Sequence, residues 1–67
     1  MSTAGELREM SVEELTASGK NLRQELFNLR FQHVTHQLEN VMRIRDVRRT
    51  IARVETVLRE RILEAEG

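Results

Sequence analysis

Thr35-His36-Gln37-Leu38-Glu39-Asn40, residues 35–40, is the stretch on which the fold turns. Before it, Leu15, Leu22, Leu26 and Leu29 recur at spacings of seven, four and three. With Gly19 and His33 in the gaps they form one seam at alternating steps of four and three, the pattern of a helix packed along a partner. After it, Ile44, Val47, Ile51, Val54, Leu58 and Ile62 mark a second apolar face at helical spacing. Extended through the stretch, the first seam would meet His33, His36, Asn40 and Arg43, all polar. The second seam uses Ile44 instead of position 43, so the frame slips by one residue. A continuous coiled coil holds its frame. The polar gap and the slip together predict a turn, with the two helices folded back antiparallel.

The expectation is therefore an all-α chain: an antiparallel, coiled-coil-like two-helix hairpin preceded by a short helical turn. Residues 1–67 form one domain, with an N-terminal segment 1–10, a first long helix 11–35, a turn 36–40 and a second long helix 41–65. Glu6 to Met10 suits a single helical turn. Ser11-Val12-Glu13-Glu14 reads as a capping box, with Ser11 accepting from the amide three residues on and Glu14 reaching back. Its acidic pair also suits the positive end of the helix dipole. Asn40 is the candidate N-cap of the second helix. Two helices of about 24 residues would each be about 36 Å long.

Composition agrees with this outline. The chain has 67 residues, no Pro, three Gly and two aromatic residues, Phe27 and Phe31. Sheet proteins draw on more aromatics and turn formers. The absence of Cys excludes disulfides and thiolate metal sites. No apolar run approaches the ~20 residues of a membrane span, and Met1 to Glu6 lack the pattern of a signal peptide; a cytoplasmic location is expected. A core this small rarely supplies more than ~3–5 kcal/mol unaided. Part of the stability is expected to come from a partner.

Net charge is zero, but its distribution is uneven. Residues 1–19 carry four Glu against Arg8, and residues 54–67 carry four Glu against two Arg. Residues 20–53 carry eight basic groups against Glu25, Glu39 and Asp46. Binding follows such a local face more than the total. Within it lies Arg43-Ile44-Arg45-Asp46-Val47-Arg48-Arg49-Thr50-Ile51-Ala52-Arg53. With Ile44 at 0° on a helical wheel, the apolar residues cluster between about 280° and 0°. Arg48, Arg45, Arg49 and Arg53 follow at about 40°, 100°, 140° and 180°. A planar guanidinium donates two hydrogen bonds at once to a phosphate. Asp46 is the one acid within the run, so phosphate binding is preferred over a salt-bridged, solvated face.

Other features carry less. Phe27, Phe31 and Val34 form a second apolar stripe, rotated away from the leucines. Gly19 reads either as a place of close backbone approach or as a tolerated weak point, since Gly inside a helix costs ~1 kcal/mol relative to Ala. His33, His36 and Glu39 have metal-ligand spacing, but a helix end inside this stretch would destroy their shared face. No nucleophile sits beside a base, no Gly-rich loop cradles phosphate, and the chain is too short to enclose a pocket. An enzyme is not expected, and no cofactor or metal is implied.

Three segments carry a family resemblance: Glu25-Leu26-Phe27-Asn28-Leu29-Arg30-Phe31-Gln32, Gln37-Leu38-Glu39-Asn40, and Arg45-x-Val47-Arg48-Arg49-x-Ile51-Ala52-Arg53. In this order and spacing, from about Glu6 to Arg61, the chain resembles the bacterial large-subunit ribosomal protein twenty-nine family. The resemblance implies a helical hairpin on the outside of the large ribosomal subunit near the peptide exit tunnel. It implies contact with large-subunit rRNA, with ribosomal protein twenty-three as neighbour and nascent-chain factors within reach. The family's basic positions map onto Arg45, Arg48, Arg49 and Arg53, and Asn28, Arg30 and Gln32 of the first segment also match. The family commonly has Gly at the position of His36, often Pro at that of Val41, and usually an apolar residue at that of Gly19. The competing expectation, from a different class, is a helical coiled-coil adaptor that binds another protein and no nucleic acid.

Overall fold

The computed structural model describes residues 3–66, with Ala4 through its backbone only. It contains three helices, α1 (Ala4–Arg8), α2 (Val12–Val34) and α3 (Met42–Glu66), and no strand among the described residues. The molecule is a rod of 47 × 17 × 14 Å. Leu29 packs with Val47 and Ile51, whereas Leu15 packs with Val54 and Val57. Residue numbers fall along α2 as they rise along α3, so the helices are antiparallel and the hairpin is as the frame slip predicted.

The first long helix starts where its capping box lies. Ser11 Oγ accepts from the Glu14 amide at 3.1 Å, and the Ser11 amide donates to Glu14 Oε1 at 3.4 Å. Met10, just before the cap, and Leu15, in the first turn after it, share one apolar cluster. This is a hydrophobic staple that fixes the angle of entry. The short N-terminal helix lies earlier than the sequence reading put it, at Ala4–Arg8 instead of Glu6 to Met10. The reason is a second capping box. Thr3 Oγ1 accepts from the Glu6 amide at 3.2 Å and the Thr3 amide donates to Glu6 Oε2 at 3.4 Å.

At the far end α2 closes in a Schellman motif. The Gln37 amide donates to the Gln32 carbonyl at 2.8 Å, and the His36 amide to the His33 carbonyl at 3.1 Å. The residue between these bonds must take a left-handed conformation, and His36 does so with φ of 60°. The chain then returns into α3, where Asn40 Oδ1 accepts from the Met42 amide at 3.0 Å. That bond caps the new helix in the way expected of Asn40.

The core runs along the rod in two clusters. Leu7, Leu15, Val54 and Val57 form one, with Met10, Leu22 and Leu58 against it. Leu29, Val47 and Ile51 form the other, with Leu22, Leu26, Leu38 and Ile44. The α3 face differs from the sequence reading at its C-terminal end. Val57 is buried, Leu58 is half-buried and Ile62 is exposed. In a two-helix hairpin Val57 would sit off the seam, toward Arg53. Here α1 lies against α3 and seats Leu7 on Val57, so the buried stripe turns toward that side. Thr50 is buried on the same side and donates its hydroxyl to the Asp46 carbonyl at 3.0 Å.

Candidate nucleic-acid interface

Among the described residues three ion pairs tie the helices together at their edges. Arg23 of α2 binds Glu55 of α3, Arg43 of α3 binds Glu25 of α2 at 2.8 Å, and Arg8 of α1 binds Glu60 of α3 at 3.4 Å. Arg8 also accepts, through its carbonyl, a bond from the Arg61 guanidinium. All three pairs are solvated and contribute at most about 1 kcal/mol each. Their larger effect is on charge. Glu55 and Glu60, two of the acids beside the basic arc of α3, are both occupied by cations from the other helices, which leaves Asp46 as the acid within the run itself.

Arg45, Arg48, Arg49 and Arg53 are exposed and make no ion pair among the described residues. Their Cα atoms span about 12 Å along α3. Arg45, Arg48 and Arg49 border an open trough whose apolar floor is Met42, Ile44 and Ala52. Arg43, the first residue of the basic run, is spent on Glu25. Arg59 extends the arc instead. It is exposed, and eleven residues from Arg48 return it to within about 20° of the same row. The sequence reading stopped at Arg53 and counted Arg59 within the acidic segment 54–67; the fold shows that Glu55 and Glu60 of that segment are engaged by Arg23 and Arg8.

The first-helix candidates divide between the two edges of the hairpin. The Arg23–Glu55 pair marks one edge. Arg30 lies seven residues after Arg23 and Arg48 seven before Glu55, so both return to that edge one heptad nearer the turn. Arg30 therefore stands beside Arg48. The Arg43–Glu25 pair marks the opposite edge. Gln32, seven residues after Glu25, returns there, and Asn28 follows on the outer side. Asn28 accepts from Gln24 Nε2 at 3.3 Å, and Gln32 offers its carbonyl to the helix end. Both side chains are exposed, but the structure does not bring them together with Arg30 and Arg48.

His33, His36 and Glu39 do not converge. Helix α2 ends at Val34, and the left-handed backbone of His36 redirects the chain. Among the described residues no group of three or more His, Asp or Glu side chains is arranged to hold a metal. No helix among them is long and apolar enough to cross a membrane.

The model of the family described as "Ribosomal L29 protein" matches residues 5–61, which include all three helices up to the last turns of α3. The chain belongs to the ribosomal L29 family. It is 60% identical over 63 residues to the large ribosomal subunit protein uL29 of Caldicellulosiruptor bescii, covering 94% of this chain and 88% of that protein. The uL29 protein of Magnetococcus marinus is 64% identical over 61 residues, 91% of each chain. That of Moorella thermoacetica is 54% identical over 61 residues, again 91% of each. The ribosomal L29 family is structural, and this chain is a ribosomal constituent, not an enzyme.

Proposed function

We propose that this chain is a structural protein of the large ribosomal subunit, in the cytoplasm, that holds large-subunit rRNA by the outer face of α3. Arg45, Arg48, Arg49 and Arg53 donate to phosphate oxygens, and Arg30 joins them across the Arg48 edge. Asn28 and Gln32 offer hydrogen bonds to sugar or phosphate from the opposite edge. The observation that carries this reading is the arc of exposed arginines, unpaired among the described residues, beside which Glu55 and Glu60 are engaged by Arg23 and Arg8, so that Asp46 alone sets a carboxylate within the run against four guanidinium groups. A-form RNA hides its base edges in a deep, narrow groove, so such a face reads backbone shape in preference to sequence.

Family resemblance extends the reading to a site near the peptide exit tunnel, beside ribosomal protein twenty-three and within reach of nascent-chain factors. The protein acts there as a clamp between RNA and protein, gaining from its neighbours the stability that a narrow core does not supply. The adaptor alternative draws on the exposed Phe27, Phe31 and Val34. Sedimentation separates the two. A ribosomal constituent travels with large subunits and is washed off by salt as phosphate contacts are lost. An adaptor forms a protein complex that survives nuclease and does not sediment with the particle. Crosslinking of the tagged chain on purified particles to ribosomal protein twenty-three tests the tunnel-side position.

A further inference from the structure

Both aromatic residues of the chain are spent on solvent. Phe27 is 66% exposed and Phe31 61% exposed, on the side of α2 away from the seam, while the core is built wholly from aliphatic residues. Four helix neighbours, at three and four residues on either side, surround Phe27: Arg23, Gln24, Arg30 and Phe31. Lys20 lies one heptad before Phe27 and Asn28 beside Gln24. The acids of this part of α2 reduce to Glu25, which is turned to the opposite edge and held by Arg43. The patch thus joins two aromatic faces to cations and amides, and Glu55, the carboxylate that reaches it from α3, is neutralised by Arg23.

We infer that the outer face of α2 is a second RNA surface, on which Phe27 and Phe31 stack against unpaired nucleobases. This rests on the ribosomal reading above and adds a ligand class to it: bases, where the α3 arginines take phosphates. Three observations favour bases over a protein partner or a second copy. An apolar protein contact is served as well by an aliphatic side chain, and this chain packs on itself with Leu, Val, Ile and Met. A stacked base requires a flat ring, and every base has a π-face to offer. Lys20 and Arg30, which make no ion pair among the described residues, complement a polyanion, whereas in a symmetric dimer they would face their own charge. Gln24 and Asn28, already bonded to each other at 3.3 Å, present amides of the kind that pair with exposed base edges. With arginines on one helix and rings on the other, the hairpin would be gripped between a helical and a single-stranded segment of the same RNA.

The chain has neither Trp nor Tyr, so Phe31→Trp supplies a lone fluorophore on this face. The full-length protein carrying it is titrated at low salt with a single-stranded oligoadenylate and with an RNA duplex of equal length. Stacking predicts that the single strand quenches the indole, while the duplex binds through the arginines and leaves its emission nearly unchanged. The Phe27→Leu/Phe31→Leu double variant keeps apolar surface and helix propensity but removes both rings. It should bind the single strand about tenfold more weakly, hold its duplex affinity, and keep the wild-type salt slope. Arg48→Gln/Arg49→Gln should weaken binding of both RNAs. If the leucine variant binds the single strand as wild type does, or the indole is not quenched, the base surface is refuted and the phosphate reading stands. If the leucine variant instead loses a ribosomal protein while binding RNA normally, the face is a protein contact. If the wild-type chain binds neither RNA, the phosphate reading fails and this inference with it.

Discussion

A Cβ placed on Gly19 would lie 3.5 Å from Cγ1 of Val54 across the hairpin seam. Its other near neighbour is the Arg23 guanidinium at 3.9 Å, and no backbone atom of α3 is among them. The glycine therefore does not serve close approach of two backbones. It leaves a methyl-sized position vacant in a buried stripe, at ordinary van der Waals distance from a valine. Gly19→Ala should stabilise the fold by about 1–2 kcal/mol, from helix propensity and one buried methyl. Thermal unfolding followed by circular dichroism would show a rise of several degrees. An unchanged or lowered midpoint would mean that the seam cannot accept the methyl.

His36 occupies the position that a helix end with this bonding pattern reserves for a left-handed residue. Its φ of 60° costs an ordinary side chain about 1–2 kcal/mol, partly offset because Gly is freer in the unfolded chain. His36→Gly should stabilise by about 0.5–1 kcal/mol. His36→Val should destabilise, because a β-branched side chain tolerates this region poorly. The pair of variants tests the geometry in both directions. If both shift the midpoint in the same sense, the left-handed cap is not what sets the energy there.

Leu7 and Leu15 are both buried against Val54 and Val57, whereas Leu26 is half-buried and Ile62 is 48% exposed. Truncation should follow that order. Leu15→Ala should cost about 2–5 kcal/mol, enough to unfold much of a domain this small. Leu7→Ala should approach it, since it also uncovers Val57. Leu26→Ala should cost less, and Ile62→Ala within about 0.5 kcal/mol of nothing. Urea denaturation of the four variants gives the ranking. A Leu7→Ala protein as stable as wild type would show that α1 contributes no packing energy.

Some of these features were legible in the sequence and others were not. The slip between Leu29 and Ile44 was enough for the hairpin, because side-chain period is a property of the chain itself. Ser11 and Glu14 likewise marked a helix start, since a capping box is local. The Thr3–Glu6 box carries the same signal and places α1 two residues earlier than the apolar pattern suggests. Val57 and Ile62 were not legible in this way. Their burial depends on α1 crossing over α3, a contact between segments some fifty residues apart. The basic arc was visible on a helical wheel, but not its composition. Arg43 and Arg23 are withdrawn from it by Glu25 and Glu55, and Arg59 joins it, only once two helices are laid side by side. Asn28 and Gln32 stand apart from Arg30 for the same reason: a linear motif does not say which edge of a hairpin each residue will take.

The arginines differ in what they already hold, and this makes the phosphate reading testable. Arg48 and Arg49 have no carboxylate partner among the described residues, while Arg8 is engaged by Glu60. Each phosphate neutralised releases counterions, so log K should fall with log salt by ~0.7–0.9 per contact. Arg48→Gln/Arg49→Gln should weaken binding to large subunits stripped of this protein, or to an rRNA fragment, and flatten the salt slope by about one to two units. Gln approaches Arg in helix propensity, so helicity should hold. Arg8→Gln is the matched control. It also removes one positive charge, but one spent on an internal pair, and should lower stability by about 0–1 kcal/mol without changing the slope. A nonspecific effect of net charge would move both variants in proportion to the charge removed. Phosphate contact moves the first alone. If Arg48→Gln/Arg49→Gln assembles into subunits with the wild-type salt profile, the outer face of α3 is not where this protein meets RNA.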